Sequence, residues 1–177
     1  MHNFIWKYKP CDSDDINKIS DEFNVPTSIA TIMSLKNINS KQLSRSFFYS
    51  DLNNLHSPLL MKNMDKAIDR LIMAKDRNQV ILIIGDYDTD GTSAASLLHL
   101  YFKSLQIDNY YYIPHRQKEG YGISKKAIDY GIQIGAELII SCDCGITAIE
   151  QIDYANSKQI DFIITDHHKQ KEILPNA

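Results

Sequence analysis

From residue 61 onward the chain alternates between two hydrophobic periods. Short apolar or aromatic runs recur at residues 80–84 (VILII), 109–113 (NYYYI), 137–141 (ELIIS) and 161–165 (DFIIT). Amphipathic stretches fill 92–105, 124–134 and 147–157, and another at 61–79 leads into the first run. Runs of that length read as strands and the longer stretches between them as helices. Regular alternation of the two predicts an α/β fold, with a mostly parallel sheet flanked by helices. Residues 1–60 follow another pattern. Ser13 stands as an N-cap before Ile16, Ile19 and Phe23 at helical spacing, Pro26 restarts the chain, and TSIATIMSLKNI and SKQLSRSFF give two more short helices. No constellation with its own chemistry falls there. The expected organisation is a small helical N-terminal segment over 1–60 and an α/β domain over 61–177.

A length of 177 residues suits one domain with a sizeable core, or one with a small appendage. Hydrophobic residues at 44% and charged residues at 23% are ordinary for a globular protein and give no sign of disorder. A net charge of -3 provides no basic field, so composition gives no support for nucleic-acid binding. It does not exclude it either, because an acidic metal site would itself push the charge this way. MHNFIWKYKP has no apolar core of signal-peptide length, and the longest apolar runs are too short to span a bilayer. A cytoplasmic protein with no membrane association is expected. Cys11, Cys142 and Cys144 are odd in number and lack paired spacing, which argues against a secreted disulfide framework. Cys142 and Cys144 read as buried or semi-buried thiols rather than zinc ligands. If the strand continues through them, both sulfurs share one face and Asp143 takes the other.

The unusual chemistry sits after the strands. In GDYDTDG, Asp86, Asp88 and Asp90 occupy alternate positions directly after the first run. The spacing matches the opening of an EF-hand loop, but the twelfth position is Leu97 rather than Glu, and a strand precedes it instead of a helix. A phosphatase nucleophile in DTDGT, or carboxylate ligands to two divalent metals, are the remaining chemistries. The other strands run into Pro114-His115-Arg116, Asp143 with Gly145, and Asp166-His167-His168. Ligands bind at the carboxyl ends of strands in open α/β sheets. Five carboxylates gathered there would repel one another unless cations neutralised them. Oxygen-rich donors with one or two imidazoles lean toward Mn²⁺ or Mg²⁺, and two such ions roughly 3.5 to 4 Å apart can activate water and hold phosphoryl oxygens. Glycines 85, 91 and 145 are expected to allow tight turns, with a helix from about Thr92 aiming its N-terminal dipole at the same place. Taken singly each feature has a plainer reading: Asp90 as an N-cap, the His pair as one buried and one exposed residue, EGYG at 119–122 as a turn. Their joint placement at successive strand ends is what the plainer readings leave unexplained.

GDYDTDG, CDCGIT and TDHH, in this order on successive strand-end loops, resemble the DHH phosphoesterase superfamily. The likeness is to its RecJ-type branch of single-strand-specific 5′-to-3′ exonucleases of recombination and repair. LHSPLLMKNMDKAIDRL, YYIPHRQKEGYGIS and the closing LPNA add to it, so that it covers residues 45–177 well and the N-terminus loosely. The resemblance implies metal ligation by Asp88, Asp90, Asp143 and His167, with Asp143 bridging two Mn²⁺ or Mg²⁺ ions and Asp86 a ligand or a partner of the ligands. It implies a catalytic role for Asp143 and for His168, which would lie near the scissile phosphate, and a phosphate contact from Arg116. Single-stranded DNA is the implied substrate, with a single-stranded-DNA-binding protein and a helicase as partners. In the family a further metal-binding aspartate and a DHHA1-type domain follow, whereas this chain stops at Ala177. A polypeptide that is an N-terminal fragment of such an enzyme, with weakened metal binding and little nuclease activity alone, is therefore expected. Two alternatives stand beside this. One is a haloacid-dehalogenase-type phosphatase with Asp88 as nucleophile, which gives Asp86 and TDHH no role and lacks a later G-D-x-x-x-D pair. The other is a non-catalytic fragment that holds nucleotide in the strand-end cleft.

Overall fold

The computed structural model describes Ile5 and residues 7–177. Residues 1–4 and Trp6, part of the stretch read above for its lack of a signal-peptide core, lie outside the described residues. The chain divides into two compact units, Met1–Leu60 and Met61–Ala177. No helix among the described residues is long and apolar enough to cross a membrane.

The first unit holds α1 (Ser13–Phe23), α2 (Thr27–Leu35) and α3 (Lys41–Phe48). Ile19, Ala30, Met33 and Ile38 form its small core, with Ile16, Phe23 and Val25 packed against it. The cap of α1 is Asp12 rather than Ser13: the Asp12 carboxylate accepts the Asp14 N–H at 2.9 Å, which starts the helix at Ser13. Helix α2 stops at Leu35, short of the expected 38, because Asn37 takes a left-handed φ of 57° and turns Ile38 into the core.

The second unit runs α4 (Met64–Asp76), β1 (Val80–Gly85), α5 (Thr89–Ser104), β2 (Asn109–Tyr112), α6 (Arg116–Glu119), α7 (Lys125–Gln133), β3 (Ala136–Cys142), α8 (Ile149–Ser157) and β4 (Asp161–Thr165). All strand pairs are parallel, in the order β2-β1-β3-β4. Both faces are covered, which is why β1 is apolar throughout rather than alternating. Ile81 and Ile83 pack with Ala95 and Phe102 of α5, while Leu82 and Ile84 pack with Ile128 of α7 and Ile152 of α8. The registers Gly85↔Cys142 and Cys142↔Thr165 bring the carboxyl ends of β1, β3 and β4 level. After β1 the chain goes out to β2 on one side, and then returns to form β3 on the other. The loops after β1 and β3 therefore part in opposite directions and leave a crevice between them, the usual ligand position in such sheets.

The sheet breaks where the C-x-C pair was expected to continue it. Strand β3 ends at Cys142 and Asp143 takes φ 61°, the left-handed region. Both thiols are buried, but Cys142 packs with the α5-side core and Cys144 with the α7 and α8 side. The two sulfurs thus face opposite sides of the sheet, because one left-handed residue cancels the alternation of a strand. Burial pushes the Cys144 thiol up to about 12, so it stays protonated and behaves as a small apolar group.

Candidate metal centre

The crevice gathers groups from four loops. Asp86 follows β1 directly and is 1% exposed; its Oδ1 has no hydrogen-bond partner among the described residues. Asp88, two residues on, is the N-cap of α5, and its Oδ1 accepts the N–H groups of Asp90 at 3.1 Å and Gly91 at 3.0 Å. Helix α5 thereby starts at Thr89, three residues earlier than the sequence pattern suggests. Asp90 lies in its first turn instead of capping it, and the helix dipole points at the crevice. Gly91 is required for a reason other than turning. Its φ is not left-handed, but a Cβ there would strike the Asp86 backbone and stand 2.5 Å from the Asp86 carbonyl oxygen. Only glycine lets the first turn of α5 come this close to the end of β1. Gly145, after β3, does take a positive φ of 115°.

Across the crevice, Asp143 Oδ1 lies 2.9 Å from His167 Nε2 and 3.9 Å from His168 Nδ1. Donor atoms of Asp143, His167 and His168 all lie within 4.8 Å of one another. Burial raises the affinity of the Asp143 carboxyl for a proton; Asp88 adds to this, His167 and His168 pull the other way, and Asp90 adds the smallest push. The two acidic loops thus face each other closely enough to repel. Asp166 is nearly sealed, and its Oδ1 accepts both the backbone N–H of His168 at 2.9 Å and the Nδ1 side of the ring at 2.8 Å. Its Oδ2 accepts the N–H of Ile146 at 2.9 Å. Burial opposes the charge on Asp166, but these hydrogen bonds outweigh it and hold its pKa below the usual carboxylate value. The same contact raises the pKa of His168. Asp166 accordingly sets the orientation of His168 through its hold on Nδ1.

Each site residue expected from the sequence now has a position. Asp143, His167 and His168 come together; Asp88 and Asp90 face them from α5; Asp86 lies beneath, at the end of β1. The Arg116 guanidinium sits 5.3 Å from the centre of the ring of Tyr87, which lies between Asp86 and Asp88 in sequence. Tyr121 is a group that the sequence pattern did not mark. Its hydroxyl lies 3.1 and 3.2 Å from the ring nitrogens of His168 and 3.4 Å from the Asp143 carbonyl oxygen. Burial, followed by the nearby carboxylates Asp166 and Asp86, pushes its phenol up to about 12. Lone carboxylate oxygens, imidazoles and a buried acceptor without a donor form a set that fits a hard divalent cation.

Residues 80–177 match the DHH family, N-terminal domain, and the chain belongs to that family. Among curated relatives it is similar to the single-stranded-DNA-specific exonuclease RecJ of Bacillus subtilis, with 34% identity over 174 residues, covering 97% of this chain and 22% of the relative. The protein of that name from Escherichia coli is 35% identical over 118 residues, which is 66% of this chain and 20% of the relative. The chain therefore spans about a fifth of the length of these relatives. Of solved structures, an exonuclease RecJ bound to manganese matches with a TM-score of 0.63 and 29% identity over 68% of this chain and 31% of its own. RecJ of Thermus thermophilus in complex with Mn²⁺ shares the fold, with a TM-score of 0.65 at 21% identity over 92% of this chain and 22% of its own. Membership of the DHH family removes the haloacid-dehalogenase alternative.

Proposed function

We propose that this chain carries the metal-binding residues of a phosphodiesterase that degrades single-stranded DNA from the 5′ end. The observation that carries the reading is the buried Asp86 Oδ1, left without a donor beside the cluster of Asp143, His167 and His168. Asp86, Asp88, Asp90, Asp143 and His167 would hold two divalent ions, Mn²⁺ or Mg²⁺. Such ions supply Lewis-acid activation of water and neutralise charge on the phosphoryl group. The chain's own residues do the rest. Asp166 fixes the ring of His168, which lies near the scissile phosphate and stabilises charge on the leaving oxygen. Arg116, braced against Tyr87, contacts a phosphate of the strand. The names of the relatives, single-stranded-DNA-specific exonucleases, support the choice of substrate, and the manganese in the solved neighbour supports the choice of ion. The family resemblance further supports a single-stranded-DNA-binding protein and a helicase as partners, with the cytoplasm as the compartment.

Calorimetric titration of Mn²⁺ into the wild-type chain and an Asp143→Ala variant tests the reading, with a labelled single-stranded oligonucleotide assayed in parallel. Binding in the wild type that is lost in the variant is expected. A folded wild-type chain that takes up no Mn²⁺ would overturn it.

A further inference from the structure

Glu119, which in the sequence reads as part of an ordinary turn, is the residue that fastens its loop. The connector 113–124 between β2 and α7 contains only the four-residue α6 and two glycines of positive φ, Gly120 at 80° and Gly122 at 87°. It has no strand ladder to hold it, yet it carries both Arg116, which stacks on Tyr87, and Tyr121, which meets His168. One carboxylate closes it. Glu119 Oε2 accepts the Tyr112 hydroxyl at 2.7 Å and the Ser124 hydroxyl at 2.8 Å, while Oε1 accepts the His115 N–H at 3.0 Å. Lys126 Nζ stands 3.8 Å away, and the Glu119 side chain is only 8% exposed. The last residue of β2, the N-cap of α6 and the N-cap of α7 are thus tied to a single group. Burial works against the charge, but the hydrogen bonds from His115, Tyr112 and Ser124 win and keep the carboxyl below its usual pKa.

We propose that Glu119 is a positioning residue of the site: by closing the connector it fixes Arg116 against Tyr87 and Tyr121 against His168 and Asp143, so that a phosphodiester strand meets both in one arrangement. This rests on the phosphodiesterase reading above for the identity of the ligand. Its effect is transmitted through Arg116 and Tyr121; Tyr121 meets the cluster only at the Asp143 backbone carbonyl and the His168 ring, so metal affinity is expected to change far less than strand binding. Glutamine can replace it in part. An amide oxygen can still accept the His115 N–H, and the amide nitrogen can donate to the two hydroxyls.

The test compares the wild type with E119A, E119Q and Y112F, the last removing one hydroxyl donor without touching Glu119. Hydrogen exchange reads the connector, Mn²⁺ calorimetry the metal site, and fluorescence polarisation the binding of a phosphorothioate-linked single-stranded oligonucleotide. E119A should exchange about tenfold faster across 113–124, with the strands unchanged. Its Mn²⁺ affinity should change far less than its oligonucleotide Kd, which should rise about tenfold. E119Q should recover most of that loss, and Y112F should fall between. E119A with an unchanged oligonucleotide Kd, or with exchange raised equally in β1 and β3, would overturn the positioning role. A wild-type chain that binds neither Mn²⁺ nor the oligonucleotide would instead overturn the phosphodiesterase reading, and the ligand named here with it.

Discussion

A polar group buried without a partner costs about 1–3 kcal/mol, and more when it is charged. Asp86 Oδ1 is such an atom, 1% exposure leaving it no water and the described residues giving it no donor. A cation is the group that would satisfy it, so the same residue should weaken the metal-free chain and strengthen the loaded one. Asp86→Asn keeps the volume and removes the charge. The metal-free variant is expected to melt no lower than the wild type. With Mn²⁺ at about a hundred times its Kd, the wild type should gain about 2.7 kcal/mol of stability, most of which the variant should lack. Thermal unfolding with and without Mn²⁺ reads both halves. A metal-free Asp86→Asn chain that is clearly less stable would mean that the carboxylate is satisfied within the fold and is no ligand. Asp143 belongs to the same scale. Its left-handed φ of 61° is tolerated better by Asp than by most residues, and it takes the residue out of the strand just before the loop.

Between elements, Asp88 serves both the fold and the crevice. One of its oxygens caps α5 through the N–H groups of Asp90 and Gly91, which leaves the other for a cation. Serine caps nearly as well as aspartate but offers no second oxygen, and alanine does neither. Both Asp88→Ser and Asp88→Ala should lose Mn²⁺ binding, whereas only the alanine variant should lose about 1 kcal/mol of metal-free stability by urea unfolding. Equal stability of the two would remove the capping role. The elements themselves were largely legible in the sequence. Apolar runs of strand length marked β1 to β4 to within two residues, and the polar residues beyond them marked the crevice, because a parallel sheet covered on both faces leaves little room for polarity elsewhere. The start of α5 was not legible, since Asp88 and Asp90 are both good caps and only the hydrogen bonds choose between them. Nor were the opposite faces of Cys142 and Cys144, which depend on one dihedral. Tyr121 was missed because its partners lie 22 and 47 residues away in sequence. No period or spacing in EGYG reports such contacts.

In the α/β unit, the sheet separates the site from its fastening. The carboxyl ends of the strands hold the acidic crevice; the amino ends are tied together by Arg70 of α4. Its Nε donates to Asp161 at 2.6 Å, at the start of β4, and its other nitrogens donate to Gln79 Oε1 at 2.8 Å and the Glu137 carbonyl at 3.2 Å. Gln79 in turn donates to Glu137 Oε2 at 2.8 Å, which joins the residue before β1 to β3. The Asp161 side chain is 59% exposed, so the ion pair itself contributes little. The hydrogen bonds to Gln79 and Glu137 matter more, since Gln79 is buried and a carbonyl left unpaired there is not readily solvated. Arg70→Met keeps the stem and removes those donors. It should cost about 1–3 kcal/mol of stability and leave Mn²⁺ affinity as it was. Combined with Asp86→Asn, the two changes in metal-free stability should add, because the sites share no partner and lie at opposite ends of the strands. An Arg70→Met chain that bound Mn²⁺ more weakly would mean instead that the strands transmit strain along their length. The crevice would then depend on how firmly its far end is tied.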